Sequence, residues 1–292
     1  MDREYLVGVS VDSQTISAGL VDINGKIVKK FDIPTEASKG KKKVVDNIAI
    51  AVQKVFKPKV LGVGISVPGL VSKDRGYVVS APELPGWTDM PLKKMVEEKV
   101  KLPVFLENDA NCLTLAEQKC GELARTKNMV GLIMNSTVSG GVIIDGKLYR
   151  GASDAAGEVG KMLIHDENDL NSFISSSAIV ERYKLLSKSK KPITSSQIFE
   201  LAKGTDAKAK QIMADVSKYL GIGLANVVNV FNPEVIVIAG DIANAKPFFD
   251  AAVKEMEKRA AKHSVNRVRV MQSKVEDAGI LGSASVVTKG FC

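Results

Sequence analysis

Apolar positions in the first part of the chain switch between strand-like runs and helix-like spacing. Apolar or β-branched runs predict strands at residues 5–11, 15–23, 26–31, 60–67 and 104–107. Apolar residues three and four apart predict helices at 44–56, 92–99 and 110–121. Asn24-Gly25 is typical of a hairpin turn between the second and third strands. The proline- and glycine-rich segment 80–92 predicts an ordered surface loop that carries Trp87.

The second part of the chain repeats the opening pattern before it becomes mainly helical. Residues 17–27 (SAGLVDINGKI) and 139–148 (SGGVIIDGKL) share their order of small, apolar, Asp, Gly and Lys positions, with one residue deleted. We interpret this as a duplicated domain, because the period is far too long for a solenoid; chance resemblance between two hairpins is the alternative. Strands are predicted at 129–135, 140–144, 235–239 and 268–271, and helices at 173–186, 195–203, 206–230, 246–262 and 277–287. An α/β protein with two similar lobes follows.

Composition narrows the class of protein. With 292 residues, 45% hydrophobic and 25% charged, the chain is typical of a globular protein of about two domains and not of a disordered or fibrous one. No apolar run approaches the ~18–20 residues of a membrane helix, and the first residues lack the apolar core of an export signal. Three cysteines without a CxxC pair exclude a disulfide framework. We therefore expect a cytoplasmic protein without a membrane partner.

The net charge of +8 can attract nucleic acid or phosphorylated small molecules. The basic clusters, 41–43 and 188–191, are short and contain no aromatic residues, which favours solvated helix ends and loops. We expect no nucleic-acid partner. A nucleic-acid surface supported by net charge alone is the remaining alternative.

Polar side chains crowd the point where a predicted strand meets a predicted helix, in the run ENDAN at 107–111. Ligands of α/β sheets bind at this edge, where the helix N-terminus offers free N–H groups. A helix cap needs only one such residue, so the run favours a ligand site, with capping by Asn108 or Asp109 as the alternative. In the small-residue segment 151–160, Glu158 stands between glycines; the alternative there is a tight connection with an exposed glutamate.

Other chemical motifs fail in context. Residues 141–147 match the GxxxxGK spacing of a P-loop, but Leu148 replaces the required Ser or Thr and no helix follows. Gly62-Val63-Gly64 lacks the third glycine of a dinucleotide fingerprint. His165 and His263 stand far apart with no cysteine near either, so a zinc site is not supported.

Four motifs occur in a fixed order along the chain: ENDAN at 107–111, GKLYRGA at 146–152, AGEVG at 156–160 and FNPEVIV at 231–237. Together they resemble the ROK family (repressors, uncharacterised proteins and sugar kinases) of the actin-like ATPase superfamily, from Tyr5 to about Val287. The resemblance implies an α/β protein with two actin-like (ribonuclease H-like) lobes and a central cleft. The implied lobes are a small N-terminal lobe, 1–112, on which a C-terminal helix at about 275–292 packs, and a large lobe, 113–274. Repressor members carry an N-terminal helix-turn-helix, which we expect to be absent because the first strand begins at about Tyr5.

The resemblance implies a glucokinase-like kinase that uses ATP and Mg²⁺ to phosphorylate a hexose or hexose derivative. Asp109 matches the general base, which accepts the proton of the attacking sugar hydroxyl. The positions that correspond to sugar contacts are Asn108, Glu158, Lys161, Gly69 and Glu83. The positions that correspond to nucleotide contacts are Asp12, Ser13, Ser136, Thr137 and Gly240. Many members form dimers or tetramers, so a homodimer is among the expected assemblies.

The two phosphate motifs depart from the family pattern. The first, D-x-G-G-T-K, corresponds to 10–15 (SVDSQT), so Ser10 replaces the Asp near Mg²⁺, and Asp12 and Ser13 replace glycines. The second, G-T-G-x-G-G-G, corresponds to 135–141 (NSTVSGG). Side chains obstruct a phosphate cradle, and a carboxylate there repels phosphate. Asp12 shares a strand face with Ser10 if the strand continues, which makes it the candidate Mg²⁺ ligand.

Departures also affect the sugar and zinc positions. Lys161 replaces a family histidine, 166–172 replaces a Cys-rich zinc segment, and Glu83 and Asn171 replace family sugar contacts, so we expect no zinc and do not assume glucose. Two functions stay open. Asn108, Asp109 and Glu158 favour an active sugar kinase, whereas the altered phosphate motifs favour a sugar-binding pseudokinase. We favour the kinase, because a retained base is hard to explain in a long-inactive enzyme.

Overall fold

The computed structural model describes residues 4–74, 76–120, 122–240, 243 and 245–289. Its contacts divide the chain into two compact units: unit 1 comprises Met1–Arg125, Leu148–Ala156 and Lys274–Cys292, and unit 2 comprises Thr126–Lys147 and Gly157–Ser273. Compared with the predicted lobes, unit 1 extends past residue 112 and also includes 148–156. The predicted central cleft stays a prediction.

In the first part of the chain, strands and helices alternate much as the hydrophobic pattern predicts. The elements are β1 (Tyr5–Val11), β2 (Thr15–Asp22), β3 (Ile27–Pro34), α1 (Lys41–Val55), β4 (Val60–Val67), β5 (Leu70–Ser72), β6 (Tyr77–Ser80), β7 (Thr88–Met90), α2 (Leu92–Val100), β8 (Val104–Asn108) and α3 (Asp109–Cys120). One sheet has the order β3-β2-β1-β4-β8, and a smaller sheet has the order β5-β6-β7.

The second part has its own five-stranded sheet, of order β11-β10-β9-β14-β15. Its strands are β9 (Met129–Met134), β10 (Val138–Ile144), β11 (Lys147–Tyr149), β14 (Val235–Gly240) and β15 (Arg269–Gln272), and a short hairpin is formed by β12 (Leu163–His165) and β13 (Asn168–Asp169). The helices are α4 (Asn171–Ile174), α5 (Ser176–Ser187), α6 (Ser195–Lys203), α7 (Ala207–Phe231), α8 (Lys246–Arg259), α9 (Lys262–Val265) and α10 (Ala278–Lys289).

The two large sheets share one topology. In the first, β2 is antiparallel to β1, whereas β4 is parallel to β1 and β8 is parallel to β4. In the second, β10 is antiparallel to β9, whereas β14 is parallel to both β9 and β15. The two hairpins that resemble each other in sequence, β2–β3 and β10–β11, occupy equivalent places in these orders. The sequence repeat is therefore a repeat of structure.

Side chains alternate across β1 in unit 1, as the period of a strand requires. Val7, Val9 and Val11 lie in the main core, which also contains the buried face of α1. Leu6 belongs to a second cluster with Ile280 and other apolar residues of α10. Helices thus cover both faces of the sheet, which explains why β1 and β4 are almost continuously apolar.

Glycines let α10 lie with its backbone against the sheet. A Cβ at Gly8 would stand 2.0 Å from the carbonyl oxygen of Ile280, and one at Gly64 would stand 1.8 Å from that of Ser283. Gly8 and Gly64 are paired residues on the neighbouring strands β1 and β4. Because neither has a side chain, they leave a shallow depression in the sheet, against which α10 lies. The rejected motif 62–64 thus has a packing role.

Two predictions from local sequence are wrong, because tertiary packing determines the conformation and burial of these segments. Trp87 is not a surface residue: it is 2% exposed and belongs to the core of unit 1, and the adjacent Thr88–Met90 is strand β7. The predicted helix 173–186 is interrupted by the extended backbone of Ser175, which caps α5. Predicted positions 121 and 290–292 lie outside the described residues. None of the described helices has the length and apolar character needed to cross a bilayer.

We expect Gly64→Ala to lower the free energy of unfolding of unit 1 by about 3 kcal/mol, because its Cβ would overlap the Ser283 carbonyl and displace α10. Urea unfolding followed by Trp87 fluorescence measures this, since Trp87 is the only tryptophan and lies in this core. Gly204→Ala is the control for a glycine whose Cβ would have its nearest neighbour at an ordinary 3.5 Å. It is followed by circular dichroism, because Gly204 lies in unit 2 whereas Trp87 reports on unit 1. A Gly64→Ala protein as stable as the parent would contradict this account of the packing.

Candidate functional site

Asn108 ends β8 and fixes the start of α3. Its Oδ1 accepts hydrogen bonds from the backbone N–H groups of Ala110 (2.9 Å) and Asn111 (3.2 Å), and its Nδ2 donates to the carbonyl of Gly69 (2.8 Å). Asn108 is therefore a helix cap, as the alternative interpretation held. The structure also brings Asn108 and Gly69, two predicted sugar contacts, together. A Cβ at Gly69 would stand 2.2 Å from the Ser80 carbonyl, so this turn requires glycine.

Glu107, one residue earlier, carries a buried negative charge. Its Oε2 accepts two hydrogen bonds from Arg150, from Nε at 3.0 Å and Nη2 at 2.6 Å. Its Oε1 accepts from the Asn108 backbone N–H (3.1 Å) and from Asn111 Nδ2 (2.9 Å). The Glu107 side chain is 5% exposed and that of Arg150 is 20% exposed. Both carboxylate oxygens are therefore satisfied, as a buried charge requires.

The segment Leu148–Ala156 is fastened to unit 1 at a second point. Asp154 Oδ2 accepts a hydrogen bond from the backbone N–H of Lys73 (3.0 Å), in the turn after β5. The segment is also bonded within itself, because the N–H of Ala156 donates to the Arg150 carbonyl (3.0 Å). These contacts explain why the segment belongs to unit 1 although the chain on either side belongs to unit 2.

Asp109, the predicted base, is the first residue of α3 and is half-buried. Its Oδ1 accepts a hydrogen bond from the Ala110 N–H at 2.8 Å. The positive end of the α3 dipole stabilises the ionised carboxylate at this position. An ionised carboxylate with access to solvent, at the carboxyl end of a strand, is chemically suited to accept a proton from a bound hydroxyl. The catalytic role itself stays a prediction.

The first predicted phosphate segment forms the turn between β1 and β2. Strand β1 ends at Val11, so Asp12 does not continue the strand face of Ser10. The Asp12 carboxylate instead turns back on its own loop, where Oδ1 accepts hydrogen bonds from the N–H groups of Gln14 (2.6 Å) and Thr15 (2.8 Å). Asp12 and Ser13 are both exposed. A role of Asp12 in Mg²⁺ binding stays a prediction.

In unit 2, glycines hold the segment that carries Glu158 against β10. A Cβ at Gly157 would stand 2.1 Å from the Gly140 carbonyl, and one at Gly160 would stand 2.2 Å from the Val138 carbonyl. Glu158 immediately precedes the 3₁₀ turn Val159–Lys161 and is exposed. The segment is thus a tight connection with an exposed glutamate, which was the alternative interpretation of its sequence. This connection fixes the backbone from which Glu158 projects.

Charge around Glu158 is contributed by Lys161. Partial desolvation by the surrounding protein raises the pKa of the Glu158 carboxyl above its ordinary value, and the nearby Lys161 ammonium opposes this shift. Lys161 Nζ also lies 3.5 Å from Asp169 Oδ2. Burial acts to raise the pKa of Asp169, but hydrogen bonds from Ser172 and the charge of Lys161 lower it overall. Lys161 therefore lies between two carboxylates, one with a raised and one with a lowered pKa.

The predicted nucleotide residues of unit 2 lie together at the carboxyl ends of β9 and β14. Gly240 is paired with Met134, and a Cβ at Gly240 would stand 2.2 Å from the Met134 carbonyl. Ser136 and Thr137 form the exposed loop that follows. The loop is held from the side of α5, where the Ser177 hydroxyl donates to the Ser136 carbonyl (2.7 Å). The structure thus brings Ser136, Thr137 and Gly240 to one sheet edge.

Other predicted positions take ordinary places. Glu83 is half-buried in the turn before Trp87. Asn171 accepts a hydrogen bond from the Val138 N–H at 2.6 Å and so has a structural task. The basic clusters lie at helix ends as expected, with 41–43 in the first turn of α1 and 188–191 after α5.

Metal ligands do not cluster in the part of the chain that the structure describes. Among those residues no three His, Cys, Asp or Glu side chains lie close enough to hold a metal ion. The expectation of no zinc stays a prediction.

Sequence reasoning missed Arg150 as a site residue, although it stands in the GKLYRGA motif. The signal available was an arginine next to a glycine in this motif, together with a glutamate in ENDAN that needs a cationic partner if it is buried. No local pattern links positions 107 and 150, because the contact is formed only when the segment after β11 returns to unit 1.

Two α/β units with one sheet topology, each presenting polar side chains at strand ends, define a protein of the actin-like (ribonuclease H-like) fold class. This confirms the predicted fold class. The chain belongs to the ROK family, whose family model matches residues 6–289.

Relatives include both enzymes and regulators. A glucokinase of Halalkalibacterium halodurans is 30% identical, over 98% of this chain and 96% of its own length. A xylose repressor of Caldicellulosiruptor bescii is 29% identical, over 98% of this chain and 78% of its own length. The crystal structure of a ROK family glucokinase from Streptomyces griseus, in complex with glucose and AMPPNP, superposes with a TM-score of 0.84 at 25% identity, covering 98% of this chain and 100% of that one.

We expect Arg150→Ala to lower the free energy of unfolding of unit 1 by about 3–5 kcal/mol, because it leaves the buried Glu107 carboxylate without its cation. Urea unfolding followed by Trp87 fluorescence measures the change. Lys99→Ala in the same unit removes an exposed ion pair with Asp46 and should cost less than about 1 kcal/mol. Equal effects of the two substitutions would show that the Arg150 pair is no stronger than a surface pair.

Proposed function

We propose that the protein phosphorylates a hexose or hexose derivative with ATP, using Asp109 as the general base. The observation that carries the proposal is the ENDAN junction, where Asn108 caps α3, Glu107 is neutralised by Arg150, and Asp109 remains half-buried at the helix start. These contacts fix the backbone on both sides of Asp109. A fixed carboxylate suits phosphoryl transfer, which depends on positioning more than on covalent chemistry. The glucokinase relatives support the same reaction class.

In the proposed reaction, the Asp109 carboxylate accepts the proton of one sugar hydroxyl. The hydroxyl oxygen forms a bond to the γ-phosphorus of ATP while the bond from that phosphorus to the bridging oxygen breaks. The products are the sugar phosphate and ADP, and Asp109 returns its proton to solvent. Asn108, Gly69, Glu83, Glu158 and Lys161 are the proposed sugar contacts, and the Glu158 carboxylate would accept hydrogen bonds from sugar hydroxyls.

The nucleotide would lie at the β9–β14 edge of unit 2, near Ser136, Thr137 and Gly240. Mg²⁺ is proposed to enter as part of the ATP complex, because Mg²⁺ in such sites takes most of its ligands from phosphate oxygens and water. This suits the described residues, which contain no preformed metal cluster.

A second candidate is a sugar-binding protein without phosphoryl transfer. The observation that favours it is the turn at Asp12, where a carboxylate faces the N–H groups that the family pattern leaves to phosphate. We place it second, because Asp109 and the Asn108 cap beside it match the family pattern, which supports an active base.

We expect Asp109→Asn to lower kcat by about 10²–10⁴-fold, because an amide cannot accept the proton, while sugar affinity changes little. A coupled assay across a sugar panel measures kcat, and calorimetric titration with the sugar measures affinity. Asp166→Asn, at an exposed carboxylate of the β12–β13 hairpin, is the matched control and should keep full activity. Full activity of Asp109→Asn would exclude Asp109 as the base. Sugar binding by the parent protein without any turnover would favour the second candidate.

Sugar affinity should fall in acid through protonation of Glu158. The ordinary pKa of a glutamate is about 4.3, and desolvation places that of Glu158 higher in the folded protein. The charged form accepts the hydroxyl hydrogen bonds, so affinity should be full above this raised pKa and lost as the pH falls through it. Calorimetric titration at a series of pH values measures the midpoint, and Glu158→Gln should abolish it. A midpoint that the substitution leaves in place would assign the effect to another group.

A further inference from the structure

Hydrogen bonds from α5 hold the exposed turn between β9 and β10. The carbonyl oxygen of Asn135 accepts from the N–H of Ser176 (2.8 Å), and that of Ser136 accepts from the hydroxyl of Ser177 (2.7 Å). Within the turn, the carbonyl oxygen of Thr137 accepts from the N–H of Asn135 (3.1 Å). All three turn residues are exposed, so water could solvate these oxygens. What the bonds add is therefore a single conformation of the turn.

Asn171, the first residue of α4, holds the strand that follows this turn. Its Oδ1 accepts a hydrogen bond from the N–H of Val138, the first residue of β10, at 2.6 Å. Its carboxamide lies directly against Gly160, where a Cβ would stand 2.6 Å from Nδ2 and 2.7 Å from Oδ1. The backbone carbonyl of Asn171 accepts from the N–H of Ser175 (3.2 Å), the residue that caps α5. Asn171 therefore connects the start of β10 to the helix that holds the turn.

A turn that is held in one conformation binds a ligand without first being ordered. Ordering a flexible backbone costs conformational entropy at each residue, and this cost is subtracted from the free energy of binding. The carbonyl groups of the β9–β10 turn are engaged with α5 and with the turn itself, so the backbone N–H groups between them keep fixed directions. The side chains that hold the turn thereby influence how tightly it binds a ligand.

We propose that Asn171 and Ser177 are positioning residues for nucleotide binding: through their hydrogen bonds they hold the β9–β10 turn in the conformation that receives the nucleotide. The inference rests on the proposed function, which puts the nucleotide at this sheet edge, near Ser136 and Thr137. It gives Asn171 a task in nucleotide binding, whereas the family resemblance aligns this position with a sugar contact. Loss of either hydrogen bond weakens nucleotide binding while the protein stays folded.

The test is calorimetric titration with MgADP of the parent protein and of Asn171→Ala, Ser177→Ala and Ser177→Thr. Asn171→Ala should bind MgADP about tenfold more weakly, because the turn and the start of β10 must then be ordered on binding. Ser177→Ala should lose about threefold, because one of the bonds to the turn is removed. Ser177→Thr keeps the hydroxyl and should recover the affinity of the parent. Thermal unfolding shows that each variant is folded at the temperature of the titration.

Ser172, the neighbour of Asn171 in α4, provides a matched control. Its hydroxyl donates to Asp169 Oδ1 (2.7 Å). Ser172→Ala therefore removes a hydroxyl and a hydrogen bond from the same short helix without changing the described bonds of the β9–β10 turn. This variant should bind MgADP like the parent.

Four results would overturn the proposal. Parent-like MgADP affinity in both Asn171→Ala and Ser177→Ala would show that these bonds do not govern nucleotide binding, and a parent that binds no MgADP would show that the turn receives no nucleotide. An equal loss in Ser172→Ala would assign the effect to general loosening of α4. A Ser177→Thr protein as weak as Ser177→Ala would exclude the hydroxyl bond as the cause.

The outcome is separable from the proposed function. Weaker MgADP binding by Asn171→Ala and Ser177→Ala, without turnover of any sugar by the parent, supports the positioning role and refutes the kinase. Turnover by the parent, with unchanged MgADP affinity in both variants, supports the kinase and refutes the positioning role.

Discussion

The buried ion pair between Glu107 and Arg150 is the constraint on which the organisation of unit 1 depends. A carboxylate on a side chain that is only 5% exposed is tolerated only with a cation and hydrogen bonds on both oxygens. Arg150 supplies two of these bonds, and the Asn108 backbone and the Asn111 side chain supply the others. The Glu107 carboxylate thereby links the end of β8 and the start of α3 to Arg150, which lies 43 residues later in the chain. Asp109 follows directly at the helix start, where its Oδ1 shares the Ala110 N–H with Asn108.

In both units, glycines let one backbone segment pack directly against another near the predicted site residues. In unit 1, Gly8 and Gly64 let α10 approach the sheet behind the ENDAN junction. In unit 2, Gly157 and Gly160 let the segment around Glu158 approach β10. Close contact of this kind leaves little freedom to shift, because packed interiors deform only at a cost. In the AGEVG motif, Gly157 and Gly160 therefore fix the backbone from which Glu158 projects.

The chain departs from the ROK family pattern at the two predicted phosphate segments but keeps the pattern at Asp109, the proposed base. Asp109 lies at the start of α3, where its carboxylate and the Asn108 side chain both accept from the Ala110 N–H. In the β1–β2 turn, the Asp12 carboxylate accepts hydrogen bonds from the backbone N–H groups of Gln14 and Thr15.

The sequence alone determined most strands of the two large sheets, the long helices, the duplicated topology and the family, because these depend on short-range periodicity and on motifs of adjacent residues. It missed the short strands β5, β6, β7, β11, β12 and β13. It also indicated Asn108, Asp109 and Glu158. Only the tertiary structure decided that Trp87 is buried, that Asn108 is committed to a cap and to Gly69, and that Arg150 neutralises Glu107. It also decided that the Asp12 carboxylate accepts a hydrogen bond from the backbone of its own turn. Each of these depends on which partner a side chain meets, and folding brings such partners together from positions that no local pattern connects.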